Sequence, residues 1–95
     1  MPTEVRNNKP LRRYEMVIGD AVAFVAYERD GERIVFTHTE IPRAHAGSDT
    51  GAALVCGALD AARREHLKIV PRCPFVASIL RHHAAYQDLM PAAER

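Results

Sequence analysis

Cys73 stands directly before Pro74, and the residues after it, FVASILRHH, have the spacing of a short helix that opens on the proline. A thiol at a helix N-cap lies in the positive field of the first turn, where a thiolate is favoured, so Cys73 reads as a nucleophile or as a thiol close to a reacting carbonyl. The same position also suits a small buried cap residue that reacts with nothing. His38 offers a second chemistry. An imidazole near a strand end that could come within reach of Cys73 can take a proton at neutral pH, although strand histidines also serve as plain hydrogen-bonding groups. Glu40 alternates to the same face as His38 and is a second candidate base. A third feature is the segment Ala46-Gly47-Ser48-Asp49-Thr50-Gly51 ahead of a helical pattern. Its glycines mark a loop before that helix.

The elements that must position these residues follow from periodicity. Thr3 to Arg6 is a short edge strand at most, and Leu11 to Ile18 is rich in strand formers and ends at Gly19-Asp20. In Ala21–Arg29, Val22, Phe24 and Ala26 share one face and Val25 and Tyr27 the other, which predicts a strand covered on both sides. Asp30-Gly31 predicts a type I′ hairpin into the strand Glu32–Glu40, which Pro42 stops. From Asp49 the period changes: Ala52, Val55, Leu59 and Ala62 recur at helical spacing as far as Arg63-Arg64, with Ser48 or Asp49 as N-cap. Leu67–Val70 is a buried strand closed by Pro71, the helix from Cys73-Pro74 follows, and the tail frays beyond Met90. This predicts an α+β domain: a mostly antiparallel twisted sheet, a central helix after the glycine loop, and a short C-terminal helix.

The chain has 95 residues, 47% hydrophobic and 26% charged, with a net charge of +1, so one domain spanning 1–95 with one modest core is expected. Lys and Arg are spread evenly among Asp and Glu, without the basic stripe that phosphate-backbone binding requires, so no nucleic acid is expected. No apolar run approaches the ~20 residues of a membrane span and no leader pattern precedes it, which gives a cytoplasmic location as the expectation. Cys56 and Cys73 form no C-x-x-C pair and are read as free thiols, Cys56 as a small hydrophobe within the helix. His45, His66, His82 and His83 match no zinc spacing, and no metal is expected. Arg81, His82 and His83 meet either a phosphate or water.

Several short motifs occur in one order: HTEIP at 38–42, AGSDTG at 46–51, the helix ALVCGALDAARREHLKIVP, CPF at 73–75 and HHAAYQDL at 82–89. Together they resemble the small GNAT-like proteins, a minimal N-acetyltransferase family, over residues 14–90. In that family a strand ending His-Thr-Glu-Val-Pro leads to an R-G-x-G-x-G loop, a helix, a strand ending in Pro, and Cys-Pro-Phe opening a last helix before His-Pro-x-Tyr. The resemblance implies a GNAT-like fold and transfer of an acetyl group from acetyl-CoA to an amine acceptor. It implies that Ala46, Gly47, Ser48, Asp49, Thr50 and Gly51 form the pyrophosphate loop and that the pantetheine arm pairs with main chain at Thr39 and Ile41. The family's thiol stands at Cys73, which strengthens the catalytic reading of that residue. His38 and Glu40 remain candidate bases.

The chain departs from the family loop where arginine has become Ala46 and the second glycine has become Asp49. Both changes oppose anion binding, and Asp49 either turns outward or caps the helix with its own carboxylate. A second reading follows, a non-catalytic module with weakened CoA binding. His83-Ala84 replaces the family's His-Pro, which loosens only the turn before Tyr86. An uncovered edge strand allows a monomer or a weak dimer.

Overall fold

The protein is described by a computed structural model covering residues 4–46 and 49–91. Its elements are β1 (Val5–Asn8), β2 (Arg13–Ile18), β3 (Ala21–Asp30), β4 (Arg33–Glu40), α1 (Thr50–Arg64), β5 (Lys68–Pro71) and α2 (Pro74–His82). Short 3-10 turns occupy Lys9–Leu11, Arg43–His45 and Ala84–Leu89. The five strands form one sheet in the order β1-β2-β3-β4-β5, antiparallel except for the β4–β5 pair. Sheet, helix, strand and helix are the α+β arrangement expected from the sequence.

One turn differs from expectation, and a second is new. Asp30 is still in the ladder, opposite Arg33, so the hairpin turns on Gly31-Glu32. Gly31 alone of the two takes a positive φ, +61°, which is the pattern of a type II′ turn and not of type I′. The chain leaves α1 through His66 at φ +58°, with Leu67 N–H bonded to the Ala62 carbonyl and His66 N–H to that of Arg63. Those two bonds are a Schellman closure with histidine where glycine is usual, so His66 serves as a helix stop.

The core lies between one face of the sheet and both helices. Tyr14, Met16, Ala23, Val25, Tyr27, Ile34, Phe36 and Ile69 from the strands meet Leu54, Val55, Ala58, Leu59 and Ala62 of α1 and Val76 and Leu80 of α2. Burial pushes the Tyr14 phenol up to about 12, so it acts as a neutral core aromatic, its ring 5.3 Å from Tyr27 and 6.2 Å from Phe36. Among the described residues no helix covers the other face over β2 and β3: Val22 is 42% exposed and Val17, its register partner, 59%. The expectation that β3 is covered on both sides is therefore corrected. A sheet with one solvated face alternates, and the apolar residues on the solvated side disguised that alternation.

α1 approaches the edge strand closely. A Cβ placed on Gly57 would stand 2.8 Å from Val5 Cβ, so glycine lets the helix backbone rest on β1. Gly57→Ala is expected to lower stability by about 1–3 kcal/mol, despite alanine's better helix propensity, because β1 must move off α1. Urea unfolding of the variant checks this, and an unchanged or raised midpoint would contradict the packing.

Candidate active site

The parallel pair β4–β5 is short. Its register runs from Arg33↔Lys68 to Phe36↔Pro71, after which Cys73 N–H bonds the Phe36 carbonyl at 2.8 Å and β5 gives way to α2. β4 itself continues to Glu40, held by β3 on its other side. The two strands therefore part after Phe36, and a wedge opens along β4. The β3–β4 ladder carries a bulge at Ala26/Tyr27, with Thr37 the extra residue, after which Ala26↔His38, Val25↔Thr39 and Phe24↔Glu40 are opposite. The alternation of an antiparallel ladder turns the main chain of Thr39, and in the same phase Ile41, away from β3 toward the wedge.

Cys73 is the N-cap of α2, with Pro74 at the first helical position and Ala77 N–H bonded to the Cys73 carbonyl at 3.0 Å. Its side chain is 4% exposed and shares a 3.2 Å hydrogen bond between Sγ and Oγ1 of Thr39. Thr39 was expected to contribute main chain only; its hydroxyl is the thiol's neighbour, across 34 residues of sequence. The resemblance pointed to the two residues separately, and no spacing rule joins them.

His38 and Glu40 do come together, Nε2 to Oε2 at 3.0 Å, each with a side chain 60% exposed. The expected approach of His38 to Cys73 is not made. His38 lies opposite Ala26 on the solvated sheet face, edge-on to Phe24 at 6.2 Å, whereas Thr39 lies opposite the buried Val25 on the helix side. Thiol and imidazole thus stand on opposite sides of β4.

At the loop, Gly47 and Ser48 fall outside the described residues. Ala46 is exposed, its N–H bonded to the Arg43 carbonyl at 3.2 Å. Asp49 is exposed and makes no side-chain cap bond, so of the two outcomes expected for it the carboxylate does not occupy the helix donors. Thr50 opens α1 and Gly51 is buried in its first turn. The amides of Gly51 and Ala52 have no intrahelical acceptor, as at any helix start. One neighbour was missed in the sequence: Phe75, 39% exposed, lays its ring tip on Gly51, with Cζ 2.6 Å from where a Cβ would stand. The CPF motif thereby joins the first turn of α1 to the helix that Cys73 caps.

The C-terminal residues lie elsewhere. His82 and His83 turn Nδ1 onto the carbonyls of Ser78 and Ile79, at 2.8 and 2.9 Å, and so back onto α2 itself. Tyr86 donates to Asp60 near the far end of α1 at 2.8 Å, and burial with that bond raises its phenol well above the usual range. Burial likewise pushes up the thiol of Cys56, beside Tyr86, in keeping with a packing role. Among the described residues no group of three or more His, Cys, Asp or Glu is placed to hold a metal, and no helix is long and apolar enough to cross a membrane.

An antiparallel sheet ending in a splayed parallel pair, with a helix N-terminus on one side of the wedge, is the architecture of a GNAT-type acyltransferase. The fold is similar to the NMR solution structure of a GCN5-like protein from Staphylococcus aureus, with a TM-score of 0.68, 23% identity, and 95% of this chain and 89% of that chain covered. The chain belongs to the GCN5-related N-acetyltransferase family, whose model matches residues 13–89. No curated protein matches the sequence.

Proposed function

We propose that the protein transfers an acetyl group from acetyl-CoA to an amine, with the thioester held along β4 in the wedge. The observation that carries this reading is the conjunction at that edge: β4 unpaired by β5 beyond Phe36, the Cys73–Thr39 pair on one side of it, and His38–Glu40 on the other. Acetyl-CoA, when bound, supplies the acyl group as an activated thioester. Main chain at Thr39 and Ile41 would bind the pantetheine amides and polarise the thioester carbonyl, a role suited to N–H groups fixed in a sheet. The loop and first turn of α1 would take the pyrophosphate. Glu40, alone or through His38, would accept the proton lost by the attacking amine. Thr39 would hold the Cys73 thiol by its hydroxyl, beside the thioester. A cytoplasmic location accompanies this reading.

Isothermal titration of CoA and acetyl-CoA into the reduced protein at low salt tests it. Micromolar dissociation constants are expected. No heat at millimolar ligand would overturn it in favour of the non-catalytic module that Ala46 and Asp49 suggest. The part played by Cys73 is tested by Cys73→Ala and Cys73→Ser, expected to keep acetyl transfer within a few-fold, because direct attack by the amine needs no acyl-thiol. A loss of 100-fold or more in both, with an acetylated Cys73 in the parent, would mean a covalent step.

A further inference from the structure

We infer that Arg43 is this chain's cation for a pyrophosphate at the loop, presented from one 3-10 turn ahead of position 46. The inference rests on the acetyl-transfer reading for its ligand. In the 3-10 turn Arg43–His45, His45 N–H bonds the Pro42 carbonyl at 2.8 Å and Ala46 N–H bonds that of Arg43 at 3.2 Å. Bonds between residues three apart bring those residues onto one face, so Arg43 shares its face with position 46. That is the place of the arginine in the R-G-x-G-x-G motif that the loop resembles. Three residues of such a turn rise about 6 Å, a span that an arginine side chain covers. Arg43 and Ala46 are both exposed, and among the described residues Arg43 makes no side-chain hydrogen bond or ion pair.

Between Glu40 and Asp60 the sequence holds Arg43 and Asp49 as its formal charges, besides His45. Asp49 is exposed and makes no side-chain cap bond, so it leaves the first-turn amides to an anion while its charge opposes one. Arg43 offsets that carboxylate. A guanidinium also meets phosphate oxygens with paired N–H donors, which neither a backbone amide nor a lysine reproduces. Its place in the chain fits the role: β4 ends at Glu40 beside the wedge and α1 opens at Thr50, so Arg43 lies on the connection between the two features that would hold the pantetheine arm and the pyrophosphate. The alanine at 46 therefore does not leave the loop without a cation; the cation has moved back by one turn.

The test reads binding, not turnover. CoA and dephospho-CoA, which lacks the 3′-phosphate and keeps the pyrophosphate, are titrated into the whole protein and its variants. Arg43→Gln is expected to weaken both ligands alike by about tenfold or more, and Arg43→Lys by less. Arg64→Gln, which removes a cation from the last turn of α1, should leave both affinities as they were. Arg43→Gln combined with Ala46→Arg should restore the parent's affinity to within about threefold, because the two positions share a face. With inorganic pyrophosphate alone, the Arg43 Nε–Hε resonance and the Gly51 and Ala52 amides should shift together and saturate. The inference is overturned, with the acetyl-transfer reading intact, by CoA affinity unchanged in Arg43→Gln, by an equal loss in Arg64→Gln, or by no recovery with Ala46→Arg. A loss seen with CoA and absent with dephospho-CoA overturns it too, since it would put Arg43 on the 3′-phosphate. If CoA does not bind and pyrophosphate still shifts Arg43 saturably, the acetyl-transfer reading fails and the anion seat stands; if neither binds, both fall.

Discussion

Phe36→Ala is expected to cost about 3–5 kcal/mol, a large share of the roughly 5–15 kcal/mol that holds a domain of this size together. Phe36 is 1% exposed, with its ring 6.2 Å from Tyr14 and 6.5 Å from Tyr27, so truncation leaves a cavity among rigid aromatics that cannot collapse to fill it. Its main chain occupies the last β4–β5 rung and accepts the Cys73 N–H, so loosening there reaches the thiol as well. Phe36→Leu, which keeps most of the volume, should cost less than about 1.5 kcal/mol. Urea unfolding of both variants decides the matter. Equal losses would mean that the ring itself is not what fills the core.

Ala46→Arg combined with Asp49→Gly is expected to tighten CoA binding by ten- to a few-hundred-fold. Asp49 is exposed beside the first turn of α1 and is tied to none of its amides. A carboxylate about 5 Å from a phosphate charge costs roughly 0.8 kcal/mol in water-like dielectric and about 3 kcal/mol at an effective ε of 20. Removing it recovers several-fold to a few hundred-fold, and a guanidinium at 46 adds a charge-assisted contact. The gain should shrink between 50 and 500 mM salt, since it is Coulombic. Titration of the single and double variants measures it. An affinity unchanged in Asp49→Gly would show that the carboxylate points away from the bound phosphates.

Much of this arrangement is legible in the residue order because local rules govern it. Gly19 and Gly31 mark the hairpins, Pro74 after Cys73 marks the start of α2, and the change of period at Asp49 marks α1. The order of five motifs gives the family. What could not be read depends on long-range geometry. The helix side of β3 carries Ala23, Val25 and Tyr27 and its bare side Val22, Phe24 and Ala26, so composition does not tell them apart until both helices are seen on one face. The neighbour of Cys73 is decided by the bulge at Thr37, which shifts the phase of β4 and turns Thr39 toward the helices and His38 away. A reading by alternation has no way to detect an unpaired extra residue. The contact of Phe75 with Gly51 joins two helix starts far apart in sequence and leaves no periodic trace.

That contact separates two glycines that a phosphate-loop motif treats alike. Position 49 has lost its glycine and the helix starts there without strain, at φ −77°. Position 51 has kept it, and the aromatic ring seated on its Cα gives a sufficient reason, since any side chain there must displace Phe75. The contact therefore favours glycine at 51 whether or not an anion ever docks. Its presence says that the CPF helix is anchored, and it carries no weight for the proposed docking of CoA at this loop.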